Sequence, residues 1–158
     1  MALKLEKLPR YERDRLRNYH FIPDITTGKS PSDLMKLSPK GCHEWQICKS
    51  GRNAGLGCSR SSSSRYGTVS VKDFTHREKI KKNFTVNAHV LAFFLFNDKV
   101  PASSREVVSH LCSNKKCVKP DHLVLEPQVI NLERSKCVKA KDRRCLGHDV
   151  YKSCIFPN

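Results

Sequence analysis

Residues 107–131 read VVSHLCSNKKCVKPDHLVLEPQVIN and set two cysteines and two histidines into a chain that is otherwise basic and polar. Cys112, Cys117 and His122 are separated by four residues each, a spacing that lets a loop wrap one ion while the flanking strands stay in register. Zinc takes thiolate sulfur and imidazole nitrogen in tetrahedral geometry, so these three leave one position to fill. A catalytic zinc would leave that position to water; a structural one would fill it from the protein. Cys42 is the first choice for the fourth ligand and Cys48 the second, because the text around them reads as a strand returning to this core.

A second set, Cys137, Cys145, His148 and Cys154, lies within eighteen residues of little apolar periodicity. Such a segment cannot fold on apolar contacts alone, and a bound ion would supply much of its folding free energy, on the order of 10 kcal/mol in zinc-binding peptides. With four protein ligands each, both sites read as structural. A secreted disulfide scaffold would also use an even number of cysteines, and this chain has eight. It offers no reason, however, for His122 and His148 to interleave with the thiols. Buried thiols are the plainer alternative. His110 is left unspent, two residues before Cys112. On spacing alone such a histidine is usually packed or at the surface, and only a turn at Leu111 would aim it away from the ion.

Composition bounds the partner. The chain has 158 residues, with 30 Lys+Arg against 15 Asp+Glu and a formal charge of +15. Interspersed signs argue for one folded domain whose partner is polyanionic, most plausibly nucleic acid, against the bland reading of a solvated basic surface. The longest apolar run, VLAFFLF at 90–96, is too short to span a bilayer. The start, MALKLEKLPRYERDR, carries charge where a signal peptide needs an apolar centre. The expectation is an intracellular protein, nuclear if eukaryotic.

The elements that must position these residues follow from local patterns. YERDRLRN at 11–18 reads as a short helix, followed by the turn-prone ITTGKSPSD. CHEWQ begins a strand, residues 49–64 form a basic, mobile loop, and 66–71 alternate as a second strand. After a basic connection at 72–83, a strand end leads into a buried helix over 87–97, closed by Pro101. Residues 106–110 and 122–126 read as strands, and Pro127 suits the first position of a helix through QVINLERSK. Trp45 and the phenylalanines 93, 94 and 96 are core candidates, and His89 reads as a helix residue with a local hydrogen bond.

At this point SHLCSNKKCVKPDHL, followed by a helix bearing Asn131, resembles the His-Cys box homing endonucleases and more broadly the ββα-metal (His-Me finger, HNH-like) nucleases. CHEWQI, RYGTVSV and AHVLAFFLFNDKVP precede it in the order found in HNH-type enzymes of phage and introns, so the resemblance covers roughly residues 41–154. It implies an α+β, zinc-stabilised ββα-metal fold with small antiparallel sheets, few helices and long loops. Residues 1–40 would be a basic N-terminal arm or accessory segment, and 41–158 the nuclease domain. His110 falls where the family keeps its general base, and Asn131 where it keeps the side chain for one catalytic Mg2+, for which Mn2+ can substitute. Arg65 falls near the arginine on the scissile phosphate, with Arg60 as runner-up. The two structural zinc ions map onto Cys42, Cys112, Cys117 and His122, and onto Cys137, Cys145, His148 and Cys154. Asn114 falls where such proteins often brace the loop and orient the histidine, though a plain turn asparagine serves equally.

The implied reaction is hydrolysis of phosphodiester bonds in double-stranded DNA. Neutral imidazole can take a proton from water, a contribution of about 10²- to 10⁴-fold, while Mg2+ suits an amide oxygen with waters and phosphate oxygens. DNA contact is expected from Arg60, Arg65, Lys72, Arg77, Lys79, Lys81 and Lys82 around a β-ribbon in a major groove. Known members are homodimers joined partly by a long C-terminal tail. Only IFPN follows Cys154 here, so a dimer would need another contact, and a monomer would nick. The rival readings are a non-catalytic zinc-stabilised DNA-binding protein and a non-specific nuclease or nickase.

Overall fold

The stretch AHVLAFFLFN is apolar on every side, so as a helix it must be buried on every side. In the computed structural model, which describes residues 2–21, 35–39, 41–45, 66–72, 83–140 and 144–156, it forms the central helix, and seven of its ten residues are buried. Two helices precede it, α1 (Ala2–Glu6) and α2 (Arg10–Leu16), the latter continuing into a π-helical turn at Arg17–Phe21. The strands β1 (Met35–Leu37), β2 (His43–Trp45), β3 (Thr68–Lys72) and β4 (Asn83–Asn87) follow, and the central helix is α3 (Ala88–Asn97). Then come β5 (Glu106–His110), β6 (Leu123–Pro127) and α4 (Gln128–Lys139). The strands pair as three two-stranded antiparallel sheets, β1 with β2, β3 with β4 and β5 with β6.

One core joins these pieces. Phe93, Phe94 and Leu95 of α3 share it with Val69 and Val71 of β3, Val86 of β4 and Val108 of β5. Leu5, Leu8, Leu16 and Phe21 from the N-terminal segment belong to the same cluster. Truncating Phe94, 2% exposed, to alanine would cost about 3–5 kcal/mol. Trp45 is buried as expected and stacks on Phe21 with ring centroids 5.5 Å apart. Phe96 is a correction: it is 40% exposed, with the Arg17 guanidinium 5.5 Å from its ring.

The β3–β4 ribbon shows period-two logic. Val69 faces Val86 and Val71 faces Phe84 on the core side, while Thr68 faces Asn87 and Ser70 faces Thr85 on the other, because successive side chains alternate across a strand. The helix expected over 87–97 is α3, but Pro101 does not end it. Asp98 does, in the left-handed conformation at φ 53°, its N–H bonded to the Phe94 carbonyl at 2.8 Å, a cap that Asp tolerates better than most residues. Pro127 lies one position before α4, where its missing N–H costs nothing. The order β5, loop, β6, α4 is thus the strand, metal-rich loop, strand and helix expected from the text.

Candidate active site and metal centres

Cys42 reaches the 112–122 loop because β2 pairs with it. Trp45 N–H donates to the Lys116 carbonyl and Val118 N–H to the His43 carbonyl, both at 2.8 Å. The ligand atoms of Cys42, Cys112, Cys117 and His122 then lie within 4.8 Å of one another, all four residues buried. The Sγ atoms of Cys42 and Cys117 are each 3.6 Å from His122 Nδ1. A tetrahedral ion with Zn–S of about 2.3 Å and Zn–N of about 2.0–2.1 Å requires roughly that separation, so the donor set fits zinc in size and chemistry. Cys112 is held down to about 5, chiefly by a hydrogen bond from Cys117 and against the effect of burial. The same bond pushes Cys117 up, as does burial. Sulfur crowding of this kind is relieved when an ion replaces the shared protons.

The second cluster gathers Cys137 from α4 with Cys145, His148 and Cys154 from the chain beyond it. His148 Nε2 stands 3.4 Å from Cys137 Sγ and 3.2 Å from Cys154 Sγ, and Gly147 makes the turn at φ +91°, where a side chain would be strained. Backbone N–H groups point at sulfur, from Leu146 to Cys137 and from Cys154 to Cys145, each at 3.3 Å. Burial pushes Cys154 up to about 12. Cys145 goes down, because against burial it accepts backbone N–H bonds from Cys154 and Gly147. Both tetrads fit structural zinc, which has the same tetrahedral requirement at each. Cys48 and Cys58 lie outside the described residues.

The chain does turn at Leu111, and Ser113 takes the left-handed conformation at φ 57°. His110, the last residue of β5, is not in the tetrad and its ring packs against His89 and Tyr66. Its Nε2 lies 2.9 Å from the Cys117 carbonyl. A carbonyl can only accept, so Nε2 carries the proton and Nδ1 keeps the lone pair. Burial pushes His110 down to about 4, the Cys117 carbonyl opposing this and Lys115 and His122 adding to it, so the ring is neutral at pH 7. Asn114 does not orient it. Its side chain donates to Glu44 at 2.8 Å and accepts from Lys116 N–H at 3.0 Å, and it also hydrogen-bonds Cys42, so it braces the loop and the first tetrad.

His110 opens onto a cleft of about 260 Å³ lined also by Tyr66, Lys115, Asn131, Arg134 and Lys139. The last three of these belong to α4, which brings Asn131 and His110 to one cavity. His89 is a helix residue as expected, but the local hydrogen bond is a correction. Its ring lies 4.7 Å from that of His110 and 4.9 Å from that of Tyr66, and its hydrogen bond goes to the Val108 backbone of β5 rather than to its own helix. Nothing in the one-dimensional text ties residue 89 to 110. Arg60, Arg65, Arg77, Lys79, Lys81 and Lys82 lie outside the described residues, as do residues 49–64. Lys72 ends β3 opposite Asn83.

Small antiparallel sheets, few helices and two Cys/His tetrads define a zinc-stabilised α+β nuclease fold. Residues 57–156 match the family described as the zinc-binding loop region of homing endonuclease, and the chain belongs to that family. No curated protein and no solved structure matches it.

Proposed function

We propose that the protein is a Mg2+-dependent DNA endonuclease, of the sequence-specific homing type, with His110 as general base and Asn131 as the ligand of the catalytic ion. The observation that carries this reading is the shared cleft: His110 and Asn131, twenty-one residues apart, line one cavity with Lys115 and Lys139. The Cys117 carbonyl fixes the His110 ring and leaves Nδ1 to accept a proton from the attacking water. Lysines at the rim suit a phosphate backbone.

Asn131 offers a hard amide oxygen, which suits Mg2+ better than the sulfur-rich tetrads do. When bound, the ion supplies charge neutralisation at the scissile phosphate and the departing oxygen. Arg65 would contact that phosphate, as the resemblance implies. The polar face of the β3–β4 ribbon, with Thr68, Ser70, Thr85 and Asn87, supports docking into a groove of double-stranded DNA. A homodimer would cut both strands, and a monomer would nick.

Mn2+ electron paramagnetic resonance on the protein bound to duplex DNA tests the ion assignment. One Mn2+ site is expected in the wild type and loss of that site in Asn131→Ala. Equal Mn2+ binding by both proteins sinks the assignment of Asn131, and a wild type that neither binds Mn2+ nor cuts DNA returns the protein to the zinc-stabilised DNA-binding class.

A further inference from the structure

The cleft and the second metal cluster are joined by buried polar contacts that the proposed reaction does not use. Ser109, beside His110 on β5, donates to Glu126 Oε1 of β6. Arg134 grips the same carboxylate with two bonds, Nε to Oε1 at 2.8 Å and Nη2 to Oε2 at 2.6 Å. Its remaining nitrogen, Nη1, donates to Cys154 Sγ at 3.5 Å. Glu126 and Arg134 are 1% and 3% exposed, so the pair is cut off from water and holds together only in a well-formed geometry. Past Cys154, Ile155 N–H bonds the Leu111 carbonyl at 2.8 Å, one residue beyond His110. The second cluster is therefore fastened to both halves of the cleft.

Helix α4 is built to carry this link. Asn131, Arg134 and Cys137 recur every three residues, so Arg134 neighbours each of the other two on the helix surface. Asn131 lines the cleft, Arg134 lines it and holds the carboxylate, and Cys137 supplies sulfur to the cluster.

We propose that Arg134 is the positioning residue of the cleft: its fork on Glu126 and its contact with Cys154 lock α4 to the β5–β6 hairpin, so that the second cluster sets where Asn131 stands relative to His110. A planar guanidinium holding three acceptors fixes a helix in rotation as well as distance, which a lysine ammonium does not. The role of the ion at Asn131 rests on the nuclease reading; the placement of Asn131 does not.

The test uses the zinc-loaded full chain as wild type, Arg134→Lys and Arg134→Met. Zinc per chain is counted, the Asn131 side-chain amide and His110 ring are followed by nitrogen-15 NMR, and Mn2+ is titrated into the DNA complex. Both variants are expected to keep two zinc ions, one per tetrad, while the Asn131 signal shifts and Mn2+ affinity falls by about tenfold or more, the effect typical of losing a group behind a metal ligand. A kcat loss at unchanged KM for DNA should accompany this. Full zinc with an unmoved Asn131 signal and Mn2+ affinity within about twofold of wild type overturns the proposal. If Arg134→Met does not fold, Cys154→His reads the same link from the cluster, since it keeps a zinc ligand and removes the sulfur acceptor. A wild type that does not cleave DNA defeats the nuclease reading alone, because the Asn131 amide signal still decides the placement.

Discussion

Replacing His89 with glutamine should flatten the loss of stability in acid. His89 is 7% exposed, and burial first, then the neighbouring His110, push it from 6.5 down to about 3 against the opposing Val108 hydrogen bond. The groups facing it are the rings of His110 and Tyr66 and the Val108 backbone. Below 6.5 the unfolded chain gains a proton on this ring that the folded chain refuses until about 3. The stability it contributes is thus whole above 6.5 and lost as pH falls toward the lower value. The full span corresponds to about 5 kcal/mol at ~1.4 kcal/mol per pH unit. Between about pH 7.5 and 5.5 the loss from this residue is on the order of 1 kcal/mol. Urea unfolding of zinc-loaded wild type and His89→Gln across that window reads the difference, since effects of acid on the tetrads are common to both. Glutamine keeps a donor for Val108 and does not titrate. Parallel pH dependences would refute the buried neutral imidazole, and with it the dry environment assigned to His110.

Gly67→Ala should lower the melting temperature sharply, because its Cβ would stand 1.9 Å from Trp45 Cδ1. Overpacking of this kind costs about 1–3 kcal/mol, and fluorescence of the single tryptophan reports the unfolding. Cys145→Ser should release one zinc and leave the Cys42, Cys112, Cys117 and His122 tetrad loaded, whereas Cys117→Ser should do the reverse; metal analysis after gel filtration checks both. Asn114→Ala should leave the His110 ring signals in place while loosening the 112–117 turn, read by amide hydrogen exchange, because that side chain bonds Glu44 and Lys116 rather than the histidine.

Ligand spacing made the tetrads legible, since thiol and imidazole positions repeat at distances a loop can close. The identity of the fourth ligand needed more, namely a strand at 43–45 and its pairing with Cys117. Strong local patterns placed α3 and β5 within a residue, and α4 to within three. Residues 2–8 gave no such signal, yet Leu5 and Leu8 are core, because a short helix is stabilised by what it packs on rather than by its own propensity. What His110 meets depended on the packing of β5 against α3 and α4, which no sequence rule singles out. The Glu126–Arg134 pair was invisible for a related reason: ordinary charged residues in a strand and a helix read as solvent-facing until the fold buries them together.

The most direct test of the nuclease reading is cleavage of supercoiled plasmid in Mg2+ by zinc-loaded wild type and His110→Ala, with DNA binding measured on the same samples. The expected result is nicked or linear product from the wild type and none from His110→Ala, at equal binding and equal zinc content. Supercoiled plasmid surviving the wild type over a range of salt and divalent ions, or cleavage undiminished in His110→Ala, would contradict it.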